Sequence, residues 1–424
     1  MSSRIAVVGS GIAGLVAARE LDRAGYEVTI VEAAESLGGH SNTVEVETED
    51  GAMLVDTGFI VFNDRNYPGF ERLLDELDVA TQPAPMSFSV SDQRGDFEWS
   101  MTPRGLFAKH SHLFDPRFHR MLADLVRFFR EARGLVGANG SAGSLRSFLE
   151  ERAYSRYFVE RLIVPQAAAV WSADPDQMWS FPASFLAEFL DNHGALQLTG
   201  RPRWRSIRGG SRRYVEALQA AFGGRVRLGS PVREVRRRPG FVELAWRDGW
   251  EAFDQVVLAV HSDQALALLA EPTRAEREVL GTIPYQRNEV VLHTDRSLLP
   301  RRRRAWASWN FHLMDEPAGR ATVTYDMNRL QGLRTDRRFL VTLNRSEAVD
   351  PATVIRKMTY SHPVYTPAAT VAQRRWAEIS GVDGVHYCGA YWGWGFHEDG
   401  LASALRVSKS IAAARGSVPL RAAA

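Results

Sequence analysis

The chain has 424 residues, of which 45% are hydrophobic and 24% charged, enough to bury a substantial core in two domains and too apolar for a disordered polymer. Its formal net charge is +2, and the 52 Lys and Arg residues form no recognisable binding module, which excludes nucleic acid as the expected partner. A single cysteine, Cys388, excludes an internal disulfide framework and fits a reducing compartment. With no apolar run of bilayer-spanning length and a first strand that begins at residue 4, the expectation is a cytoplasmic protein, with peripheral membrane contact left open.

The first element is a β-branched strand from Arg4 that runs into Gly9-Ser10-Gly11-Ile12-Ala13-Gly14 and then an alanine-rich helix. This spacing makes a dinucleotide cradle: Gly9 permits a tight turn, Gly11 admits a pyrophosphate to the backbone, and Gly14 lets the helix pack closely. Free N–H groups at the helix start then face the phosphates. A second strand, Glu27 to Val31, ends in Glu32, an acid placed to hold both hydroxyls of an adenosine ribose and to repel a 2'-phosphate.

The residues after Glu32 point beyond a nicotinamide site. Gly38-Gly39-His40 and Asp56-Thr57-Gly58-Phe59 supply a second glycine loop close to the diphosphate and ribityl region of a longer, two-part cofactor such as FAD. Together these residues resemble the flavin-containing amine oxidase and phytoene desaturase superfamily. The resemblance implies an α/β fold: a glutathione-reductase-like, Rossmann-type FAD-binding domain with an inserted mixed α+β substrate domain, and FAD held noncovalently. Within the superfamily the chain is similar to bacterial predicted NAD/FAD-binding oxidoreductases associated with cyclopropane fatty-acid synthase-type methyltransferases, which implies a methyltransferase as functional partner and a methylated acyl chain as substrate. Expected boundaries are 1–75 for the first FAD-binding segment, 76–200 for a helical part of the substrate domain, 201–270 for the second FAD-binding segment, 271–380 for a sheet part of the substrate domain and 381–424 for the last FAD-binding segment.

Further along, Met86 to Val90 and Phe97 to Trp99 read as a hairpin. Met101 to Ala132 mixes Phe and Leu with Arg, Lys and His, a composition that suits either the core of a substrate domain or a lipid interface; core packing is the simpler expectation. Gly134 to Gly143 reads as a loop. Helices are expected over Leu145–Phe158 and Arg161–Val170, interrupted near Pro165, and again after Pro182. Arg208 to Tyr214 restarts the cofactor domain, and the resemblance puts Val232 against the adenine. Phe241–Trp246, a turn at Asp248-Gly249, and Phe253–Ala259 read as hairpin strands ending at His261, which is expected to cap the next helix. Alternation in Val290–Thr294, Ala305–Asn310, Ala321–Tyr325 and Phe339–Asn344 predicts an antiparallel sheet with one face flooring a hydrophobic cavity, and Arg301 to Arg304 reads as a hydrated turn. The histidines form no metal-ligand pattern.

The chain closes on a strand through Val385–Ala390, then Tyr391-Trp392-Gly393-Trp394-Gly395-Phe396-His397 and a last helix, with an Ala-rich tail after Pro419. The resemblance implies that this element passes under the pyrophosphate at Gly389 and aims N–H groups near Gly400 and Leu401 at the flavin ring. Tyr391, Trp392, Trp394 and Phe396 are candidates for an aromatic wall around an alkyl chain or an amine, and His397 is the nearest candidate base, with a capping role as its alternative. Lysines occur only at 109, 357 and 409, so the substrate-domain lysine of amine oxidases has no counterpart. The expected reaction is therefore hydride transfer from a hydrophobic acyl chain to FAD N5; double-bond isomerisation, amine oxidation and noncatalytic FAD binding are the alternatives.

Overall fold

The computed structural model describes residues 3–416 apart from 50, 138–142, 172–176, 181, 195, 197–199, 247–248 and 316–318. The tail after Pro419, part of the loop before Gly143 and the turn residue Asp248 lie outside the described residues. A five-stranded parallel sheet forms the base. Its strands are β1 (Arg4–Val8), β2 (Glu27–Val31), β3 (Arg225–Arg227), β4 (Gln255–Leu258) and β5 (Val385–Tyr387), in the order β3-β2-β1-β4-β5. This order reverses beside β1, and ligands of doubly wound sheets sit at that switch point. Both faces are covered, which explains why β1, β2 and β4 read as nearly unbroken apolar runs.

Helix α1 (Ile12–Arg23) covers one face of β1 and buries eight of its twelve residues. It can approach so closely because a Cβ at Gly14 would lie 1.9 Å from the Gly9 carbonyl oxygen. The last helix, α4 (His397–Gly416), packs across α1. Its Gly400 is buried, and a Cβ there would come within 2.8 Å of Ile12.

Above this base lies a seven-stranded sheet in the order Val354–Pro363, Tyr285–His293, Leu340–Leu343, Val323–Asp326, Trp309–Leu313, Phe88–Asp92, Glu98–Ser100. Every pairing is antiparallel except that of Trp309–Leu313 with Phe88–Asp92. The early hairpin thus joins strands more than two hundred residues away, so the sheet is not confined to residues 271–380. The strand expected at Ala305–Asn310 instead begins at Trp309, because Arg303–Ala305 closes a 3-10 turn.

A helical layer covers this sheet: α2 (Pro116–Arg133), α3 (Ala183–Asn192) and shorter pieces between them. The expected break at Pro165 is not there. The chain pauses at Arg152–Ser155 and then runs as a helix from Arg156 to Trp171, with a π-turn at Val159–Ile163. A proline lacks the N–H and crowds the carbonyl four residues back, and one widened turn before Pro165 accommodates both.

Buried Asp56 ties the layers together. Its carboxylate accepts hydrogen bonds from the Ser211 N–H and hydroxyl, Thr43 and the Gln331 amide. Burial raises its pKa to about 6, against those bonds.

Candidate active site

A cavity of about 1090 Å³ runs from the end of β1 to the seven-stranded sheet, beyond the roughly 300 to 1,000 Å³ common for small-molecule pockets. Its lower end is backbone. Gly9, Ser10, Gly11, Ile12 and Ala13 line it, with Glu32, Gly39, His40, Gly58, Phe59, Val232 and Gly389 around them. A Cβ added at Gly11 would meet nothing within 4 Å, so space is kept for a ligand at the positive end of α1, whose first turn holds no acidic side chain. Gly39 has φ +58 and would bring a Cβ to 3.1 Å from the Gly11 Cα, so the second glycine loop closes directly over the first. Gly38 lies outside the lining; it serves the closure through its N–H, which donates to the Ser10 carbonyl. Gly14 likewise works by packing.

Glu32 ends β2 as expected and accepts from the Ser10 N–H at 2.8 Å, the Ser10 hydroxyl at 2.6 Å and the Ala34 N–H at 2.9 Å. These bonds fix the acid at the cavity edge beside Val232.

The C-terminal element departs from expectation in three places. Gly400 and Leu401 do not line the cavity. The Gly400 N–H already donates to Phe396, and Leu401 is buried in the core between α1 and α4, because α4 starts at His397 and its second turn is spent on helix packing. Trp392 also turns away from the cavity; it packs with Tyr391 under the sheet, at 4.9 Å between ring centroids. Tyr391, Trp394, Phe396 and His397 do line the cavity.

His397 stacks on Phe59 at 3.5 Å, and its Nε2 lies 3.0 Å from the Ser41 hydroxyl and 3.2 Å from that of Tyr214. Burial, then the neighbouring His40, lowers its pKa to about 3. A neutral ring locked between partners is an orienting group and a weak base.

The upper end is made of side chains from remote segments. Trp394 stacks on Phe185 at 4.2 Å, and Phe396 stacks on Phe189 at 5.6 Å, so the terminal aromatics rest on α3. Val290, Trp309, Tyr325, Leu343 and Tyr360 from the sheet complete an apolar floor, on the face that alternation predicted.

Sequence reasoning missed the strand Val354–Pro363, which sends Tyr360 and His362 into the wall, followed by Tyr365. Their alternation in Tyr360-Ser361-His362 was the available signal. His40 lies 4.9 Å from Tyr360, 5.6 Å from His362 and 5.7 Å from His261. Burial foremost lowers His40 and His261 to about 4 and His362 to about 3. His261 stands at the N-cap of the next helix, and its ring stacks on Tyr285 at 4.6 Å.

The lining fits FAD. It combines a glycine cradle open to a ligand, an acid at the second strand end, and buried polar atoms without a hydrogen-bond partner among the described residues, including His40 Nε2, Trp309 Nε1 and Tyr365 OH. Such atoms call for a bound group to satisfy them. Cys388 is buried with its pKa pushed up to about 12 by desolvation, which keeps it a thiol and fits noncovalent attachment.

A family model described as flavin containing amine oxidoreductase matches residues 12–325. The protein AofH of Mycobacterium tuberculosis, provisionally described as a flavin-containing monoamine oxidase, is 26% identical over 285 residues; the match spans 63% of this chain and 59% of that protein. Among solved structures, cyclohexylamine oxidase from Brevibacterium oxydans superposes with a TM-score of 0.70 at 16% identity, covering 98% of this chain and all of that one. A fatty acid isomerase from P. acnes that produces CLA gives 0.68 at 15% identity, covering 98% and 99%. At these identities the structural likeness is one of fold.

Proposed function

The chain belongs to the flavin-containing amine oxidoreductase family and is an FAD-dependent oxidoreductase, and from that premise we propose that it desaturates a hydrophobic acyl chain. The observation that carries this reading is the chemistry of the cavity's upper end: Phe88, Val290, Trp309, Tyr325, Leu343, Trp394 and Phe396 surround it, and no lysine stands among the lining residues. Lys109 is held by Asp96, and Lys357 is exposed on the edge strand. An amine would lose its hydration here, and the one carboxylate among the lining residues is Glu32 at the cradle end, Asp399 being turned back to accept from the Phe396 N–H, whereas an alkyl chain loses only water. Arg201, exposed at one border of the lining, offers a cation to a carboxylate or carrier head group.

When bound, FAD supplies the hydride acceptor. The protein's part is to hold one carbon of the chain against it and to exclude bulk water. His40 and His362 line the cavity as neutral imidazoles, so the proton lost from the adjacent carbon leaves to one of these rings or to a water, while His397 orients. The same apolar wall would serve isomerisation, the activity named for one structural neighbour, in which the hydride returns to another carbon.

The test is anaerobic mixing of the FAD-loaded protein with lipids extracted from a deletion strain. Desaturation bleaches the oxidised flavin and yields a lipid lighter by two hydrogens. Isomerisation changes retention without mass. An amine that reduces the flavin while every lipid stays unchanged would overturn the proposal.

A further inference from the structure

Two segments that are unremarkable apart in the sequence meet on one face. The stretch after the Phe88–Ser100 hairpin turns outward through Arg104 and His110 to Leu113 and Phe114, and then enters α2. The Arg301–Arg304 turn packs against it: a Cβ at Gly105 would lie 2.8 Å from the Arg304 carbonyl oxygen, and an Arg304 guanidinium nitrogen lies 3.5 Å from His110 Nε2. In the Met101–Ala132 segment the phenylalanines of α2 satisfy the expectation of core packing, with Phe118, Phe128 and Phe129 buried. Phe114 does not. It is 86% exposed and Leu113 is 46% exposed.

This exposure belongs to a fixed turn. The Phe114 N–H donates to Ser111, the His119 ring bonds the Leu113 carbonyl at 2.8 Å, and Asp115 caps α2 by accepting from the Arg117 N–H. The apolar tip is therefore presented rigidly within a basic surround. Asp115, next to it in the chain, is engaged by Arg117, and Asp96 of the preceding hairpin by Lys109. Arg104, Arg303 and Arg304 are exposed.

We propose that this face docks on an anionic lipid bilayer, with Phe114 and Leu113 entering the interface and the arginines facing phosphate headgroups. Charge complementarity selects this occupant: basic groups near a bilayer attract anionic lipid, and an apolar tip adds the short-range term that charge alone lacks. No helix among the described residues is long and apolar enough to cross a membrane, so contact through this face would be peripheral and reversible. Met101, which begins the segment, lines the cavity, so the docking surface and the substrate wall are parts of one stretch. The proposal does not depend on which reaction the cavity performs.

The test is cosedimentation of the full FAD-loaded protein with vesicles of phosphatidylcholine alone or mixed with phosphatidylglycerol. Binding is expected only to the anionic vesicles and should weaken as salt rises. Phe114→Ser, and separately Arg303→Glu with Arg304→Glu, should each weaken it by roughly tenfold or more, with melting temperature and flavin absorbance unchanged. Wild-type protein that ignores both vesicle types, folded variants that bind as wild type, or Phe114-dependent self-association in place of vesicle binding would overturn it.

Discussion

The two ends of the cavity are built by different means. At the lower end, Gly9 to Ala13 and Gly39 line the cavity with peptide groups, all within forty residues of the start of the chain. At the upper end, Phe88, Phe189, Trp309, Tyr360 and Trp394 line it with rings drawn from five remote segments. A site made of peptide groups constrains which residues are absent, and a missing side chain cannot be exchanged for another. A site made of rings constrains volume and polarity, which many residue sets satisfy. The lower end should therefore fail abruptly when changed and the upper end by degrees.

The strongest way to break this contrast lies within the cradle itself. Gly14→Ala puts a Cβ 1.9 Å from the Gly9 oxygen, where it must push α1 off the sheet, whereas Gly11→Ala meets no protein atom within 4 Å. The first should destabilise the fold by about 3 kcal/mol or more, read as lost soluble yield or a lower melting temperature. The second should fold with the stability of the apoprotein and fail to retain flavin. A flavin-loaded Gly11→Ala protein would mean that the ligand does not approach this peptide.

Acid probes both ends at once. Nine of the eleven histidines, at 40, 112, 193, 261, 293, 312, 362, 386 and 397, have pKa values lowered to about 4 or 3, with burial the leading cause in each. The unfolded chain protonates them near 6.5 and the folded chain only near 4 or below. Between those limits the unfolded state binds more protons, so stability falls as pH falls, by up to about 1.4 kcal/mol per unit for each histidine. Asp56 and Asp399, both raised to about 6, and Glu398, raised as well by burial, work in the opposite sense across part of this window, but three carboxyls do not offset nine imidazoles. A stability of roughly 5 to 15 kcal/mol should be exhausted between pH 6.5 and 4, and a melting temperature that is flat over that range would contradict the burial of these rings.

The smallest effects separate the ends most cleanly. Glu32→Ala removes a charged acceptor beside the cradle, worth about 1.5 to 3 kcal/mol, and should weaken flavin retention by roughly tenfold or more. Trp394→Ala should leave flavin titration unchanged and weaken binding of a long-chain fatty acid by roughly tenfold. Equal losses of flavin in both variants would erase the distinction.

The same division decided what could be read from the sequence. The cradle, Glu32 and the β1-α1-β2 order follow from the local spacing of glycines and apolar residues, and each appears at its expected place. Tyr360 and His362 were missed because nothing near residue 360 records that this strand pairs with Tyr285–His293 beside the cavity. Trp392 and Trp394 look equivalent in a run of alternating glycines, yet one packs under the sheet and the other lines the cavity, a difference that local spacing does not record. Gly400 was assigned to the ligand when its missing side chain serves Ile12 of α1: a glycine admits a neighbouring helix as readily as a phosphate.

The order of strands in the central sheet also sets a timetable for making the protein. β1 is synthesised first, but the neighbour on its open side, β4, begins at Gln255, and β5 begins at Val385. At roughly 5 to 20 residues per second of translation, the first strand waits tens of seconds for β4 and longer for the terminal strand that completes the sheet. Throughout that interval Ile5 to Val8, fully or almost fully buried in the finished fold, has no complete sheet to enter. The cavity lining is thus begun at Val8 and completed only at His397, so the whole site cannot assemble before β5 and the element that follows it have been made.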